Sequence, residues 1–326
     1  MRDHAARMRT GLAGSPAAGL ARDPRIHVDL AHLRSFERRA AALTFLPHQK
    51  ARSVLNGRHA SRLRGRGLNF EELRDYQPGD DVRSIDWKVT ARTGSPHVRV
   101  YTEERDRPAL MVVDQRMSMF FGTKHAMKSV TAAEAAALAA FRILDQGDRI
   151  GGIVFGDDII AEIRPERSRR ALNALLASIA EANGKLAATA PVVETPMPLD
   201  RVLAAVARIA RRDHLVIIVS DFDGIGPDTR LLVGGLARHN DVILVPVTHP
   251  SAQELGPDLC LVVSDGALQA EIDTAKGPVR EALHDMTTGR LAEVLDWQAS
   301  FGVPVLPLSA GAETLPQIRR LMGLSA

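Results

Sequence analysis

The chain has 326 residues, of which 45% are hydrophobic and 25% are charged, and its net charge is +3. This composition excludes a collagen-like or wholly disordered chain, and the length suits one large domain or two ordinary ones. A single cysteine, Cys260, excludes a disulfide framework and a site built from several cysteines. The sequence has neither an apolar run of membrane-spanning length nor a secretory signal, so we expect a cytoplasmic protein.

The first 107 residues carry most of the excess positive charge and show short, irregular patterns. Residues 1–27 mix Ala, Gly, Pro and Arg without a period, which predicts a mobile basic tail. Apolar residues at helical spacing predict a short helix over Leu30–Leu43. Residues 48–107 are rich in Gly, Pro and Asp and contain alternating stretches such as His97–Tyr101, which favours short strands and tight loops. We therefore expect residues 28–107 to form a helix and a small β-rich module.

From residue 108 to residue 326, predicted strands alternate with predicted helices. The strands are Leu110–Val113, Ile150–Phe155, Ile159–Ile163, Leu215–Val219, Val242–Val247 and Val303–Leu306. The helices lie near Ala126–Leu144, Leu172–Ile179, Leu199–Ile209, Leu231–His239 and Leu315–Met322, and one more ends at Phe301. The turn residues 156–158 predict a hairpin between the second and third strands. The alternation predicts an α/β domain with a mostly parallel sheet and helices on both faces.

Two of these buried strands end in carboxylates. Leu110–Val113 runs into Asp114, and Leu215–Val219 runs into Ser220 and Asp221. Ligands of open parallel sheets bind beyond the carboxyl ends of the strands, so neighbouring strands would place both carboxylates in one crevice. Two close carboxylates repel each other unless a cation, either a metal or a basic side chain, lies between them.

Three stretches of the N-terminal module resemble the signature of bacterial proteins that contain domain of unknown function 58: Gly65–Phe70, Arg74–Trp87 and Thr90–Arg92. In that family the signature precedes a von Willebrand factor A-like domain with a Rossmann-like sheet, which agrees with the α/β pattern after residue 108. The resemblance implies that the protein works with a MoxR-type AAA+ ATPase. It also implies a non-enzymatic, protein-binding adaptor in the remodelling or maturation of a client complex.

The von Willebrand A fold commonly carries a metal-ion-dependent adhesion site, with the motif D-x-S-x-S after its first strand. The resemblance implies these metal ligands: Asp114, Ser118, Asp221 and Thr195. Met197 is an alternative for the position of Thr195. Arg116 stands where the motif has its first serine, and a guanidinium has no lone pair to give a metal. Arg116 can instead fork between the carboxylates as an internal cation, so the sequence leaves open a degenerate, metal-free site or weakly bound Mg²⁺.

The charged residues of the signature have two interpretations. They are Arg74, Asp80, Asp81, Arg83, Asp86 and Arg92. In the structural interpretation they tie loops together by ion pairs, and Trp87 packs in the core of the small module. In the functional interpretation, the exposed part of this charged loop binds a partner protein. Separately, at the face around Asp114, Ser118 and Asp221, the guanidinium of Arg116 would bind a carboxylate of a partner directly, in place of Mg²⁺.

Two other classes of function are alternatives to an adaptor. A metal-dependent hydrolase or nuclease would use Asp114 and Asp221, but the sequence does not supply the second cluster of carboxylates that it needs. It also lacks a P-loop and a nucleophile-elbow motif. Nucleic-acid binding would use the basic stretch Arg58–Arg66, which has no interleaved aromatic residues for base stacking.

Overall fold

The computed structural model describes residues 23–41, 43, 68–103, 107–122, 124–157, 160–189, 195–250, 260–264, 269–273 and 277–323. Its helices are α1 (Leu30–Ser35), α2 (Glu37–Ala40), α3 (Trp87–Thr93), α4 (Lys128–Asp145), α5 (Arg169–Lys185), α6 (Leu199–Ile209), α7 (Pro227–Ala237), α8 (Gly277–Phe301) and α9 (Thr314–Leu321). Its strands are β1 (Leu68–Asp75), β2 (His97–Glu103), β3 (Pro108–Asp114), β4 (Arg149–Phe155), β5 (Ile160–Glu166), β6 (Leu215–Ser220), β7 (Asp241–Thr248), β8 (Cys260–Ser264), β9 (Gln269–Asp273) and β10 (Leu308–Ser309). Within these described segments, none of the helices has the length and apolar character needed to cross a membrane.

The central sheet has the strand order β10–β7–β6–β3–β4–β5. All neighbouring strands are parallel except β5, which is antiparallel to β4. The inner strands are apolar on both faces because helices cover both sides of the sheet. In β3, Ala109, Met111 and Val113 pack on the side of α4 and α5, whereas Leu110 and Val112 pack on the side of α6 and α7. The predicted mostly parallel sheet with helices on both faces is confirmed, as is the hairpin of β4 and β5.

The N-terminal helical segment packs on the same side of the sheet as α4 and α5. Leu33, Phe36 and Leu43 are buried in the cluster that contains the Ala-rich helix α4. The predicted single helix is divided at Phe36 into α1 and α2, because the amide of Phe36 bonds to the carbonyl of Leu33 in a tighter turn than an α-helix allows. Residues 1–22 of the predicted tail lie outside the described residues, and the domain boundary at residue 107 stays a prediction.

The signature module contains a helix as well as strands. β1 and β2 form a two-stranded antiparallel sheet, and α3 lies between them in the sequence. The structural interpretation places Trp87 in the core of this module and is wrong on this point, because Trp87 is 65% exposed. The basic stretch Arg58–Arg66 lies outside the described residues.

The last strand of the sheet differs from its predicted position at Val303–Leu306. Strand β10 is Leu308–Ser309, and Val305 makes only an isolated bridge with β7. Pro304 and Pro307 have no N–H to donate, so a regular ladder cannot form across them. The antiparallel pair of β8 and β9 was not predicted from the sequence.

Candidate functional site

Two neighbouring parallel strands bring Asp114 and Asp221 to one edge of the sheet. β3 and β6 are paired, with Val113 opposite Val219. Asp114 is the last residue of β3, and Asp221 follows Ser220, the last residue of β6. The two aspartates are 0% and 6% exposed. Because both carboxylates are withdrawn from water, each depends on hydrogen-bond and charge partners inside the protein.

Arg116 is the principal partner of Asp114. Its Nη2 donates to Oδ2 at 2.8 Å and its Nε donates to Oδ1 at 3.1 Å, so the contact is bidentate. The backbone N–H of Arg116 also donates to Oδ1, at 2.9 Å. The Arg116 side chain is itself only 6% exposed. The planar fork of a guanidinium matches a carboxylate in this geometry, which a lysine in the same place cannot do.

Ser220 fixes the other side of Asp114. Its Oγ donates to Oδ2 of Asp114 at 2.6 Å and accepts a hydrogen bond from the N–H of Phe222 at 2.9 Å. Phe222 has a φ of 55°, in the left-handed region that bulky residues avoid. Such a conformation costs about 1–2 kcal/mol. The fully buried ring of Phe222, which packs edge-on against Trp297, helps hold the turn in it.

A second cation, Lys128, pairs with Asp221. Its Nζ lies 2.7 Å from Oδ2. The other oxygen, Oδ1, accepts from the N–H of Asp223 at 3.1 Å and from Oγ of Ser118 at 3.4 Å, and Nη2 of Arg116 lies 3.8 Å from it. Two carboxylates and two cations therefore balance in charge at this edge of the sheet.

We call Asp114, Arg116, Lys128 and Asp221 the charged centre. Further contacts hold the guanidinium of Arg116 in place within it. Nη1 donates to the carbonyl of Met197 and Nη2 to the carbonyl of Asp223, both at 3.3 Å. Its Cζ lies 5.6 Å from the centre of the Phe155 ring. Arg116 is thus fixed by a carboxylate, two carbonyl groups and an aromatic ring.

The electrostatics of the charged centre favour the ionised forms of Arg116 and Asp221. Burial acts to lower the pKa of Arg116, but Asp114 outweighs it, so the pKa is raised. Burial acts to raise the pKa of Asp221, but Lys128 and Arg116 outweigh it, so the pKa lies below its ordinary value. At Asp114 burial is the largest influence and raises the pKa, while Arg116 and Ser220 act in the opposite direction.

A cleft of about 100 Å³ lies beside the charged centre. Lys128, Asp221 and Arg290 line it, together with apolar side chains such as Phe121. Arg290, on α8, donates to Oδ1 of Asp223. The cleft is too small for a drug-sized ligand, but it is large enough for a single carboxyl group or a similar side-chain terminus.

Comparison with known proteins identifies the family. The family model described as protein of unknown function DUF58 matches residues 72–292. The chain belongs to this family. Uncharacterized proteins from Mycobacterium bovis and Mycobacterium tuberculosis are 34% identical over 297 residues, which cover 87% of this chain and 88% of the relative. The family resemblance drawn from the signature is therefore confirmed.

A solved structure of von Willebrand factor type A from Catenulispora acidiphila is also similar to this DUF58 protein. It is 14% identical in sequence, with a TM-score of 0.32. The match covers 59% of this chain and 44% of that chain, so the DUF58 protein spans less than half of the solved structure.

The residues of the charged centre, as they stand, do not fit a divalent metal ion. Both carboxylate oxygens of Asp114 accept hydrogen bonds from Arg116, and Oδ2 of Asp221 accepts from Lys128. Mg²⁺ needs oxygen ligands with available lone pairs, and here it would also meet two cationic side chains. Within the described ranges, no group of three His, Cys, Asp or Glu side chains is placed to hold a metal ion.

The loop before α6 places the two candidates for the remaining metal ligand differently. Thr195 is exposed, and no contact joins it to the charged centre among the described residues. Met197 is buried, and its carbonyl accepts from Arg116.

Sequence reasoning missed Lys128 and Ser220. Ser220 had a signal, since it directly precedes Asp221, but Lys128 is a single lysine in the first turn of an Ala-rich helix and carries no motif.

The acids of the signature serve local structure. Asp80 accepts from both terminal nitrogens of Arg74, at 2.7 and 2.8 Å. Asp81 caps the 3-10 turn that follows it, and Asp86, which is 8% exposed, caps α3. The two remaining arginines of the signature are exposed: Arg83 and Arg92.

Proposed function

We propose that this DUF58 protein is a non-enzymatic adaptor that binds a partner protein beside the charged centre. In this proposal it works in the cytoplasm with a MoxR-type AAA+ ATPase, in the remodelling or maturation of a client complex. The observation that carries the binding role is the bidentate contact of Arg116 with Asp114, at 2.8 and 3.1 Å. The guanidinium of Arg116 is thus a cation that the chain itself places beside the carboxylates of Asp114 and Asp221. The ATPase partnership rests on the family resemblance.

The proposal divides the work between the two cations. Arg116 is 5% exposed, so we assign it to positioning: it holds Asp114 and the turn at Asp223 in one arrangement. Lys128 lines the cleft together with Arg290, so we assign these two to contact with the partner. A carboxylate of the partner fits this role, because the ammonium of Lys128 has three N–H donors and can accept a second carboxylate as partner without releasing Asp221.

Binding suits this arrangement better than acid–base or metal-assisted hydrolysis. A catalytic carboxylate must reach a proton of the substrate or of a water molecule. The carboxylate of Asp114 is fully buried and bonded to Arg116 and Ser220, while Asp221 is bonded to Lys128. A rigid, charge-balanced centre next to a small open cleft is better suited to holding a partner than to turning over a substrate.

Affinity purification of the tagged full chain from its native cell tests the proposal. We expect mass spectrometry to recover a MoxR-type ATPase with the wild type and with Lys124→Met, which removes an exposed lysine four residues before Lys128. Arg290→Glu, which reverses the charge of the more exposed cation of the cleft, should reduce the recovery at least about tenfold. Absence of the ATPase from the wild-type sample, equal recovery with Arg290→Glu, or divalent-ion-stimulated cleavage of phosphodiesters by the purified chain would each contradict it.

A further inference from the structure

Trp87 lies at the surface, where its side chain contributes little to the hydrophobic core. Trp297 is fully buried, whereas Trp87, the first residue of α3, is 65% exposed. Burying an aromatic side chain of this size stabilises a fold, so the fold loses that stabilising free energy while Trp87 stays exposed. Val82, one short turn earlier, is also 55% exposed. The 3-10 turn and α3 therefore each begin with an exposed apolar side chain.

Three cationic side chains lie close to this tryptophan in the sequence. Arg83, Lys88 and Arg92 are exposed, and among the described residues none of the three has a side-chain ion pair or hydrogen bond. Lys88 and Arg92 are four residues apart on α3, where like charges repel and weaken the helix by a few tenths of a kcal/mol. The arrangement is thus unfavourable for folding, which points to a use in binding.

Helical geometry places the residues of α3 in two adjacent rows, and Arg83 lies in the 3-10 turn just before α3. Positions four apart lie side by side on a helix, so Trp87 lies next to Ala91, and Lys88 next to Arg92. Nearby acids do not neutralise the cations: Asp80 is paired with Arg74, and Asp86 caps α3. Two acids of this region are exposed: the carboxylate of Asp81 accepts from the amide of residue 83, and that of Asp75 lies 3.3 Å from Nε2 of His97. We call Arg83, Trp87, Lys88, Ala91 and Arg92 the basic aromatic surface.

We propose that the basic aromatic surface binds an acidic protein segment that places an apolar side chain against Trp87. Tryptophan and arginine are the residues most enriched at the energetic centres of protein interfaces, and three unpaired cations select a partner of negative charge. Single-stranded nucleic acid is the weaker candidate, because it stacks on successive aromatic side chains along a basic groove, whereas this convex helix offers one. The surface gives the proposed adaptor a second binding face, made of residues separate from the charged centre.

Binding to synthetic probes tests the assignment with the full chain. The probes are a labelled 12-residue peptide of Glu-Glu-Leu repeats, its Lys-Lys-Leu counterpart, a 20-nucleotide poly-dT strand and phosphatidylglycerol vesicles. We expect the acidic peptide alone to bind and to shift the emission of Trp87 to shorter wavelength, while the buried Trp297 provides a constant background. Binding should weaken as salt is added, because the contacts are exposed.

Matched variants locate the site. Trp87→Ala and the double variant Arg83→Glu, Arg92→Glu should each weaken the acidic peptide at least about tenfold. The controls are Leu231→Ala, which removes another exposed apolar side chain, and Arg201→Glu with Arg208→Glu on α6. Failure of the acidic peptide to bind, tighter binding of poly-dT or vesicles, or equal losses in the controls would overturn the proposal. If the peptide binds but the affinity purification recovers no ATPase, the binding role of this surface is supported and the proposed adaptor role is rejected.

Discussion

The ammonium of Lys128 lies 2.7 Å from Oδ2 of Asp221, across 93 residues of sequence. The pair ties the first turn of α4 to the end of β6. Asp221 is 6% exposed, so its carboxylate is largely removed from water. It is stabilised instead by this ammonium and by a few weaker hydrogen bonds. The second nearby cation, Arg116, is 3.8 Å away from the other oxygen and is already committed to Asp114.

Removing Lys128 should therefore destabilise the fold strongly. Lys128→Met keeps most of the side-chain volume but leaves the buried carboxylate of Asp221 without its closest cation, which costs about 3 kcal/mol. Urea unfolding followed by circular dichroism measures the loss. The control, Lys124→Met, removes an exposed lysine and should change the free energy of unfolding by less than about 0.5 kcal/mol. Similar effects of the two substitutions would show that the buried ion pair is not the cause.

Metal affinity should appear when both internal cations are removed. Arg116→Ser restores the serine of the D-x-S-x-S motif and frees the oxygens of Asp114, and Lys128→Met frees Oδ2 of Asp221. Isothermal calorimetry should show Mg²⁺ binding in the double variant, in the micromolar range. The wild type should bind no tighter than millimolar. A micromolar titration of the wild type that Asp114→Ala abolishes would reverse this interpretation.

The strands and the position of both aspartates followed from simple sequence signals. A run of buried β-branched residues that ends in a polar residue predicts the carboxyl end of an internal parallel strand, as at Val219 and Ser220. The neighbouring pairing of β3 and β6 could be expected but not deduced, because strand order depends on long-range packing. Lys128 could not be found at all, since a single lysine in the first turn of an apolar helix is equally typical of an exposed side chain.

The errors have physical causes too. A tryptophan in a small module is usually part of its core, so the structural interpretation places Trp87 there, but two strands and one short helix leave little interior to fill. Val303–Leu306 has strand-like composition, yet Pro304 inside it and Pro307 directly after it lack the N–H groups that a ladder needs. At Trp87 the small size of the module outweighed the preference of the residue, whereas the prolines are a local signal that the strand prediction did not weigh.

Acid should weaken the signature module through Asp80. Two donors of Arg74 and the amide of Gln77 lower the pKa of Asp80 from 3.8 to about 2. A folded-state pKa below the unfolded value gives stability that is complete above about pH 4 and is lost as the pH falls towards 2. The difference in melting temperature between the wild type and Asp80→Asn should therefore shrink between pH 5 and pH 2.5. Arg74→Gln should remove the same pH-dependent part, and a difference that stays constant with pH would argue against this assignment.

A buried amide connects the N-terminal segment to the loop that carries Arg116. Asn183, on α5, is 0% exposed; its Oδ1 accepts from the N–H of Val28 at 2.8 Å and its Nδ2 donates to Oε1 of Gln115 at 3.0 Å. Gln115 lies between Asp114 and Arg116 in the sequence, so this amide supports the charged centre from behind. Asn183→Ala leaves a buried donor and a buried acceptor unpaired, each at about 1–3 kcal/mol.

We therefore expect Asn183→Ala to lower the free energy of unfolding by about 3 kcal/mol and to speed hydrogen exchange at residues 114–119, because the loop loses its internal support. Asn173→Ala, ten residues earlier on α5, removes an amide that bonds to Arg34 at the surface and should cost less than about 0.5 kcal/mol. Urea unfolding and exchange measured by mass spectrometry separate the two variants. If exchange of the loop were unchanged while stability fell, Asn183 would anchor the N-terminal segment alone and not the charged centre.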